Sequence, residues 1–175
     1  PPAQLGILGG GQLGRLFVVA ARSMGYRVMV LDPDPHSPAG QIADVHLQAD
    51  YTDAAALQRM AQECAAVTTE FENVPAQSMA WLAQHVFVSP AAECVAIAQD
   101  RIHEKTFLQQ HGLATAPFVA LQSLTDCEQD LSAYLPAIIK TARFGYDGKG
   151  QRTVYSAAEV QQAFIDFKQQ PCVLE

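Results

Sequence analysis

Five short apolar runs, Leu5–Leu8, Val28–Leu31, Val45–Leu47, Ala66–Thr69 and Val86–Val88, alternate with helix-like stretches over the first half of the chain. Leu13, Leu16, Phe17, Ala20, Ala21 and Met24 recur at helical spacing, and Gly25 is placed to close that helix. Asp53 can cap a second helix running to Cys64, and Pro75 can open a third running toward Gln84. Strands joined by helices pair in parallel through right-handed crossovers. The first half is therefore read as α/β, a doubly wound parallel sheet ending near Pro90 to Ala98.

Composition supports a packed core. Hydrophobic residues make up 49% of 175, which excludes disordered and low-complexity classes. A net charge of −7 argues against nucleic acid or an anionic membrane as the main partner. The charge is uneven: Val28 to Asp100 holds ten acidic residues and one basic residue, Arg59, whereas Lys140 to Arg152 holds four basic residues and one acid, Asp147. An acidic chain with one short basic segment suggests a local anion site. No run approaches the roughly 20 apolar residues of a membrane span. The N-terminus lacks the features of a signal peptide, and its missing initiator Met points to a processed or artificially set start. Cys64, Cys94, Cys127 and Cys172 are scattered, as expected of buried thiols in a reducing compartment, and the five histidines suggest no metal cluster.

The second half reads differently. A helix from about Asp100 to Gln110, closed by Gly112, leads to a strand at Phe118–Leu121. Next come a helix after Thr125-Asp126, a strand at Ala137–Lys140, a glycine-rich loop, a strand at Arg152–Tyr155 and a helix from Ala157. Cys172 to Glu175 reads as a strand beginning.

Two glycine loops carry the chemistry. Gly9-x-Gly11-x-x-Gly14 follows a strand and opens a helix, with Asp32 at the end of the second strand. That arrangement suits a dinucleotide, whose phosphates approach glycine backbone and a helix N-terminus, and equally suits a tight turn. Ligands of open parallel sheets sit outside the carboxyl ends of the strands. Gln12, Leu13, Asp32 and the loop Glu70-Phe71-Glu72-Asn73 should face one crevice by that rule. Glu70 would point into it to accept from sugar hydroxyls or an amine, or else serve as a solvated acid or a cap for the helix that follows.

In the second loop a strand delivers Lys140, a point charge suited to phosphate oxygens. Gly145, Gly148 and Gly150 free a loop to fold over a polyphosphate with its N–H groups, and Lys149 adds a second cation. The spacing is not that of a P-loop, and a strand follows where a P-loop needs a helix. The reading is a β-hairpin lid over phosphates, against an ordinary hairpin with solvated basic ends.

Gly9-Gly10-Gly11-Gln12-Leu13-Gly14-Arg15, Thr69-Glu70-Phe71-Glu72-Asn73-Val74, Asp100-Arg101-x-x-x-Lys105 and Lys140 with Gly145-Tyr146-Asp147-Gly148-Lys149-Gly150-Gln151 occur in that order. Together they resemble an ATP-grasp family of purine biosynthesis, the N5-carboxyaminoimidazole ribonucleotide synthetases (ATPase subunit of phosphoribosylaminoimidazole carboxylase), from Leu5 to Glu175. The resemblance implies a Rossmann-like pre-ATP-grasp domain over residues 1–98 and the start of an ATP-grasp domain over 99–175. It implies an ATP-dependent ligase that carboxylates 5-aminoimidazole ribonucleotide with bicarbonate, giving ADP and phosphate. By motif match, Arg101 and Lys140 would contact ATP, Gly145 to Gln151 (Tyr146, Asp147, Gly148, Lys149 and Gly150 between them) would form the lid, and Glu175 would begin the hinge strand that holds adenine and ribose. Tyr146 and Lys149 would also hold bicarbonate or carboxyphosphate. Gln12, Leu13 and Glu70 would bind the ribonucleotide, so the first glycine loop would serve substrate and not NAD.

Family members run to roughly twice this length. The resemblance therefore places the remaining hinge, the acidic pair for Mg²⁺ and the basic residues for the ribonucleotide phosphate beyond Glu175, and implies a fragment inactive alone. It further implies a cytoplasmic protein, a homodimer when complete, with no nucleic-acid or membrane partner. Two enzyme alternatives stand beside it. One is the sibling formate-dependent glycinamide ribonucleotide transformylase, against which Gln12 and Glu70-Phe71-Glu72-Asn73 argue. The other is an NAD-linked oxidoreductase, resting on the first loop and Asp32. A non-catalytic α/β interaction module is a further reading.

Overall fold

The computed structural model describes residues 3–145 and 149–175. Cα packing divides the chain into two compact units, Pro1–Ala96 and Ile97–Glu175.

The first unit contains β1 (Gln4–Leu8), α1 (Gln12–Ser23), β2 (Arg27–Leu31), β3 (Val45–Leu47), α2 (Ala54–Glu63), β4 (Ala66–Thr69), α3 (Ala76–Ala83), β5 (Phe87–Val88) and most of α4 (Ala92–Ala98). The sheet is parallel throughout, in the order β3-β2-β1-β4-β5. Period-two alternation explains its two covered faces. Ile7, Val28 and Val30 pack with Val18 and Ala21 of α1, while Leu8, Met29 and Leu31 pack with Leu57 and Met60 of α2 and Met79 and Leu82 of α3. The doubly wound fold read from the sequence is the one observed.

Local chemistry sets the helix ends. Asp53 accepts from the Ala56 N–H at 2.8 Å and so starts α2. Gly25, at φ 87°, closes α1 in a Schellman turn, with the Tyr26 N–H on Ala21 O and the Gly25 N–H on Arg22 O. Helix α1 begins differently: its N-cap is Gly11, no side chain of the cap residue bonds back, and its first turn holds no acid. Its orphan N–H groups need a partner from elsewhere in the fold.

The second unit contains α5 (Arg101–Gln110), β6 (Val119–Leu121), β7 (Ala137–Thr141), β8 (Gln151–Val154), α6 (Ala157–Asp166) and β9 (Cys172–Leu174). Its antiparallel sheet runs β6-β9-β7-β8, so the last strand is inserted at the centre. Phe164, Val160 and Ala163 of α6 cover Ile139, Val154 and Leu174. Asp100 caps α5 by accepting from Ile102 and His103 N–H groups at 2.9 and 3.3 Å.

The helix expected after Thr125-Asp126 does not form. Two isolated 3₁₀ turns, Thr125–Cys127 and Ser132–Tyr134, stand in its place. Asp126 accepts from the backbone of Gln122 and Ser123, but Asp130 then takes the Ser132 N–H at 3.0 Å. A short polar side chain that bonds the local backbone competes with helix propagation. Helix α4, in which Cys94, Val95 and Ile97 dilute the helix preference of Glu93 and the alanines, was not read from the sequence.

Candidate functional site

In the first unit, the sheet order brings β1 and β4 side by side, so the loops after them meet at the point where strand order reverses. The Glu70 N–H donates to Leu8 O at 2.9 Å, extending the ladder and fixing where that side chain emerges. Its carboxylate lies on the N-terminus of α1. Oε2 accepts from the Gly11 N–H at 2.5 Å and Oε1 from the Leu13 N–H at 3.2 Å. Glu70 is therefore neither a solvated acid nor a cap for the next helix; it supplies the negative charge that α1 lacks in its own first turn. The glycines make room for it: a Cβ on Gly9 would stand 2.8 Å from Glu70 Cβ, and one on Gly14 would stand 3.0 Å from Glu70 Oε2.

This overturns the dinucleotide reading of that loop. The place a pyrophosphate takes at a helix N-terminus holds a carboxylate of the protein itself, and a second anion there would meet like charge. Asp32 is also committed internally. Only 8% exposed, it accepts from the Gly10 N–H at 2.7 Å, the Tyr51 hydroxyl at 2.8 Å and the Asp34 N–H at 2.8 Å. Burial, followed by the bond to Asp32, raises the Tyr51 hydroxyl well above its ordinary pKa and keeps it a donor. Asp32 thus ties the second strand to the glycine loop. Gln12 and Leu13 lie exposed in the first turn of α1, beside Glu70.

In the second unit, Lys140 near the end of β7 and Lys105 on α5 each ion-pair with one oxygen of Glu175. The lysine side chains are 24% and 15% exposed, and that of Glu175 is 14% exposed. Burial opposes charge on Glu175, but the two ammonium groups outweigh it and hold the carboxyl below its ordinary range. Because the folded-state pKa is depressed, this contribution to stability is present above the unfolded value of about 4.3 and is lost as pH falls through the folded one. Urea unfolding between pH 3 and pH 6 should show stability falling on acidification, and Glu175→Gln should flatten that dependence; an unchanged slope would refute the pairing.

Arg101 lies one helical turn before Lys105, so both point from the same face of α5. Its guanidinium donates to Thr141 O at 3.0 Å and Gly145 O at 3.2 Å, while its own N–H donates to Ala142 O at 2.9 Å. Arg101 therefore braces the first side of the glycine loop. On the other side, Gly150 at φ 71° accepts from the Thr141 N–H at 2.8 Å, and Gln151 pairs with Lys140 in the β7–β8 hairpin. Gly145 is half-buried against Arg101, and Lys149 is exposed. Tyr146, Asp147 and Gly148 lie outside the described residues. Lys105 was quoted in the sequence only as part of a motif. Its i, i+4 spacing from Arg101 was the signal that it shares the site.

Among the described residues no group of three or more His, Cys, Asp or Glu is placed to hold a metal ion. Nor is any helix among them long and apolar enough to cross a membrane. Cys64, Cys127 and Cys172 are buried and free, and burial raises the Cys64 thiol to about 11; Cys94, expected to be buried like them, is exposed.

The chain is similar to known proteins over essentially its whole length. The ribonucleotide synthetase preATP-grasp domain matches residues 3–99, and the ATP-grasp domain matches residues 106–175. N5-carboxyaminoimidazole ribonucleotide synthase of Bacillus subtilis is 39% identical over 176 residues, and that of Pseudomonas aeruginosa 42% over 173. These alignments cover 100% and 98% of this chain but 46% and 48% of the relatives, so the chain spans about half the length of the curated relatives it matches. The N5-carboxyaminoimidazole synthetase of Staphylococcus aureus complexed with ADP superimposes with a TM-score of 0.92 at 36% identity, covering 99% of this chain and 47% of that one. The Aspergillus clavatus synthase in complex with ADP and 5-aminoimidazole ribonucleotide superimposes with a TM-score of 0.86 at 27% identity, covering 99% and 46%.

Proposed function

The chain belongs to the ribonucleotide synthetase preATP-grasp family, and from that premise we propose that it is the substrate and lid part of an ATP-dependent carbon–nitrogen ligase that carboxylates 5-aminoimidazole ribonucleotide with bicarbonate. One observation carries the reading: β7 delivers Lys140 to the root of a glycine hairpin braced by Arg101.

In this reading a bicarbonate oxygen attacks the γ-phosphorus of ATP, forming carboxyphosphate and releasing ADP. The exocyclic amine of the ribonucleotide then attacks the carboxyl carbon, phosphate departs, and the nitrogen loses a proton. Lys140 and Arg101 neutralise nucleotide phosphate charge, and Glu175 stands at the strand that holds adenine and ribose. Gly145 to Gln151 closes over the phosphates and excludes water from the acyl phosphate, which hydrolyses readily. Tyr146 and Lys149 hold bicarbonate or carboxyphosphate.

Gln12, Leu13 and Glu70 take the ribonucleotide. Glu70 supports this role because a carboxylate offers about four acceptor sites, and the two N–H groups of α1 leave capacity for a hydroxyl or amine. Among the described residues no group of three or more His, Cys, Asp or Glu is placed to hold a metal ion, and no step is assigned to one within them. We place the complete protein in the cytoplasm as a homodimer acting on small molecules, with no nucleic-acid or membrane partner.

The test is ADP release by the full reading frame carrying this segment, given Mg-ATP and bicarbonate, with and without the ribonucleotide. ADP formation that requires 5-aminoimidazole ribonucleotide is expected. ADP appearing only with glycinamide ribonucleotide and formate would instead assign the sibling transformylase.

A further inference from the structure

We propose that Lys105 is a positioning residue for nucleotide binding: by holding Glu175, it releases Lys140 to the phosphates. The proposal rests on the reading of Lys140 as a nucleotide contact. Two ammonium groups share one carboxylate, each on its own oxygen. The trio therefore carries one net positive charge, where a simple Lys140–Glu175 pair would be neutral.

The two lysines are not equivalent. Lys105 is the more covered, at 15% exposure against 24%, and its ammonium lies 5.3 Å from the centroid of the Phe118 ring, a second attraction that keeps it in place. Lys140 sits beside the hairpin and is the more exposed of the two. An incoming anion therefore competes with Glu175 for Lys140 and leaves Lys105 paired. Without Lys105, Glu175 would turn its whole charge on Lys140, and the anion would have to displace an unshared carboxylate.

The test compares ADP affinity by calorimetry, and steady-state kinetics for ATP, in the full-length wild type, Lys105→Met and Lys105→Arg. Lys105→Met should weaken ADP binding and raise the KM for ATP by roughly tenfold, the scale of one uncompensated charge in a partly screened site, with kcat at saturating ATP changed far less. Lys105→Arg should recover most of the loss. A role confined to holding the fold would lower kcat along with affinity. Melting curves check that each variant is folded, and Lys105→Arg keeps the test readable if the Met variant is not. The proposal is overturned if Lys105→Met binds ADP like wild type, or if kcat falls as far as the affinity does. Wild type that binds no ADP would overturn the underlying nucleotide reading as well, and so is distinguishable from either result.

Discussion

Replacing Lys140 with Met in the full-length protein should lower ADP formation at a fixed, subsaturating Mg-ATP concentration by about a hundredfold or more, the scale on which one preorganised donor to developing charge acts. In the absence of nucleotide, Lys140 is held by Glu175. Its pairing with Glu175 is partly buried, but removing Lys140 leaves no uncompensated charge there. Glu175 would also keep Lys105 on its other oxygen. The substitution therefore leaves the second unit's core, centred on Phe164, Ile139 and Leu174, untouched. Activity and stability should separate: turnover falls steeply while the unfolding midpoint moves little. Initial rates by coupled ADP assay, with melting curves on the same preparations, check this. A variant that unfolds would make Lys140 a structural lysine, and one retaining near-normal turnover would remove it from the phosphate site.

What the sequence made legible was mostly local. Val45–Leu47 and Ala66–Thr69 were read at the bounds observed: the first stands between Asp44 and Gln48, and the second ends at Glu70. Asp53, Asp100 and Ser156 mark helix starts through bonds that span only two or three residues. The second hairpin was legible because a basic strand end and glycines stand out in an acidic chain. Asp126 misled because its bonds to the Gln122 and Ser123 N–H groups reach back up the chain, and the 3₁₀ turn that contains it has no side-chain cap.

The role of Glu70 lay out of reach of such signals. Its partners, Gly11 and Leu13, are 59 and 57 positions away, and they meet only because the chain crosses from β3 back to the far side of β1 before laying down β4. The same glycine spacing fits a loop that admits a phosphate and one that admits the protein's own carboxylate. Asp32 presents the same ambiguity, resolved by the bonds from Gly10 and Tyr51. The resemblance of the ordered motifs, and not the spacing, pointed to substrate over NAD at that loop.

Gly14→Ala turns this packing into a measurable quantity, and two effects of opposite sign compete in it. Helix propensity favours the substitution, since Ala is better than Gly in a helix interior by about 1 kcal/mol. Packing opposes it: the new Cβ would stand 2.8 Å from Gly9 O and 3.0 Å from Glu70 Oε2. Neither neighbour yields readily. Gly9 is held at φ 102° with its N–H on Leu31 O at 3.0 Å, and displacing Glu70 strains its bonds to the Gly11 and Leu13 N–H groups. Overpacking typically costs about 1–3 kcal/mol, and a hydrogen bond to a charged group contributes about 1.5–3 kcal/mol, so packing should win. The unfolding midpoint of the first unit should fall by roughly 4–8 °C for each kcal/mol of net loss. Gly25 offers the contrasting case, because its Cβ would meet nothing within 4 Å and only its φ of 87° resists a side chain. Calorimetric melting of both Ala variants separates the two costs: a stabilised Gly14→Ala protein would mean that propensity decides at this position and that Glu70 is not packed against the loop as seen here.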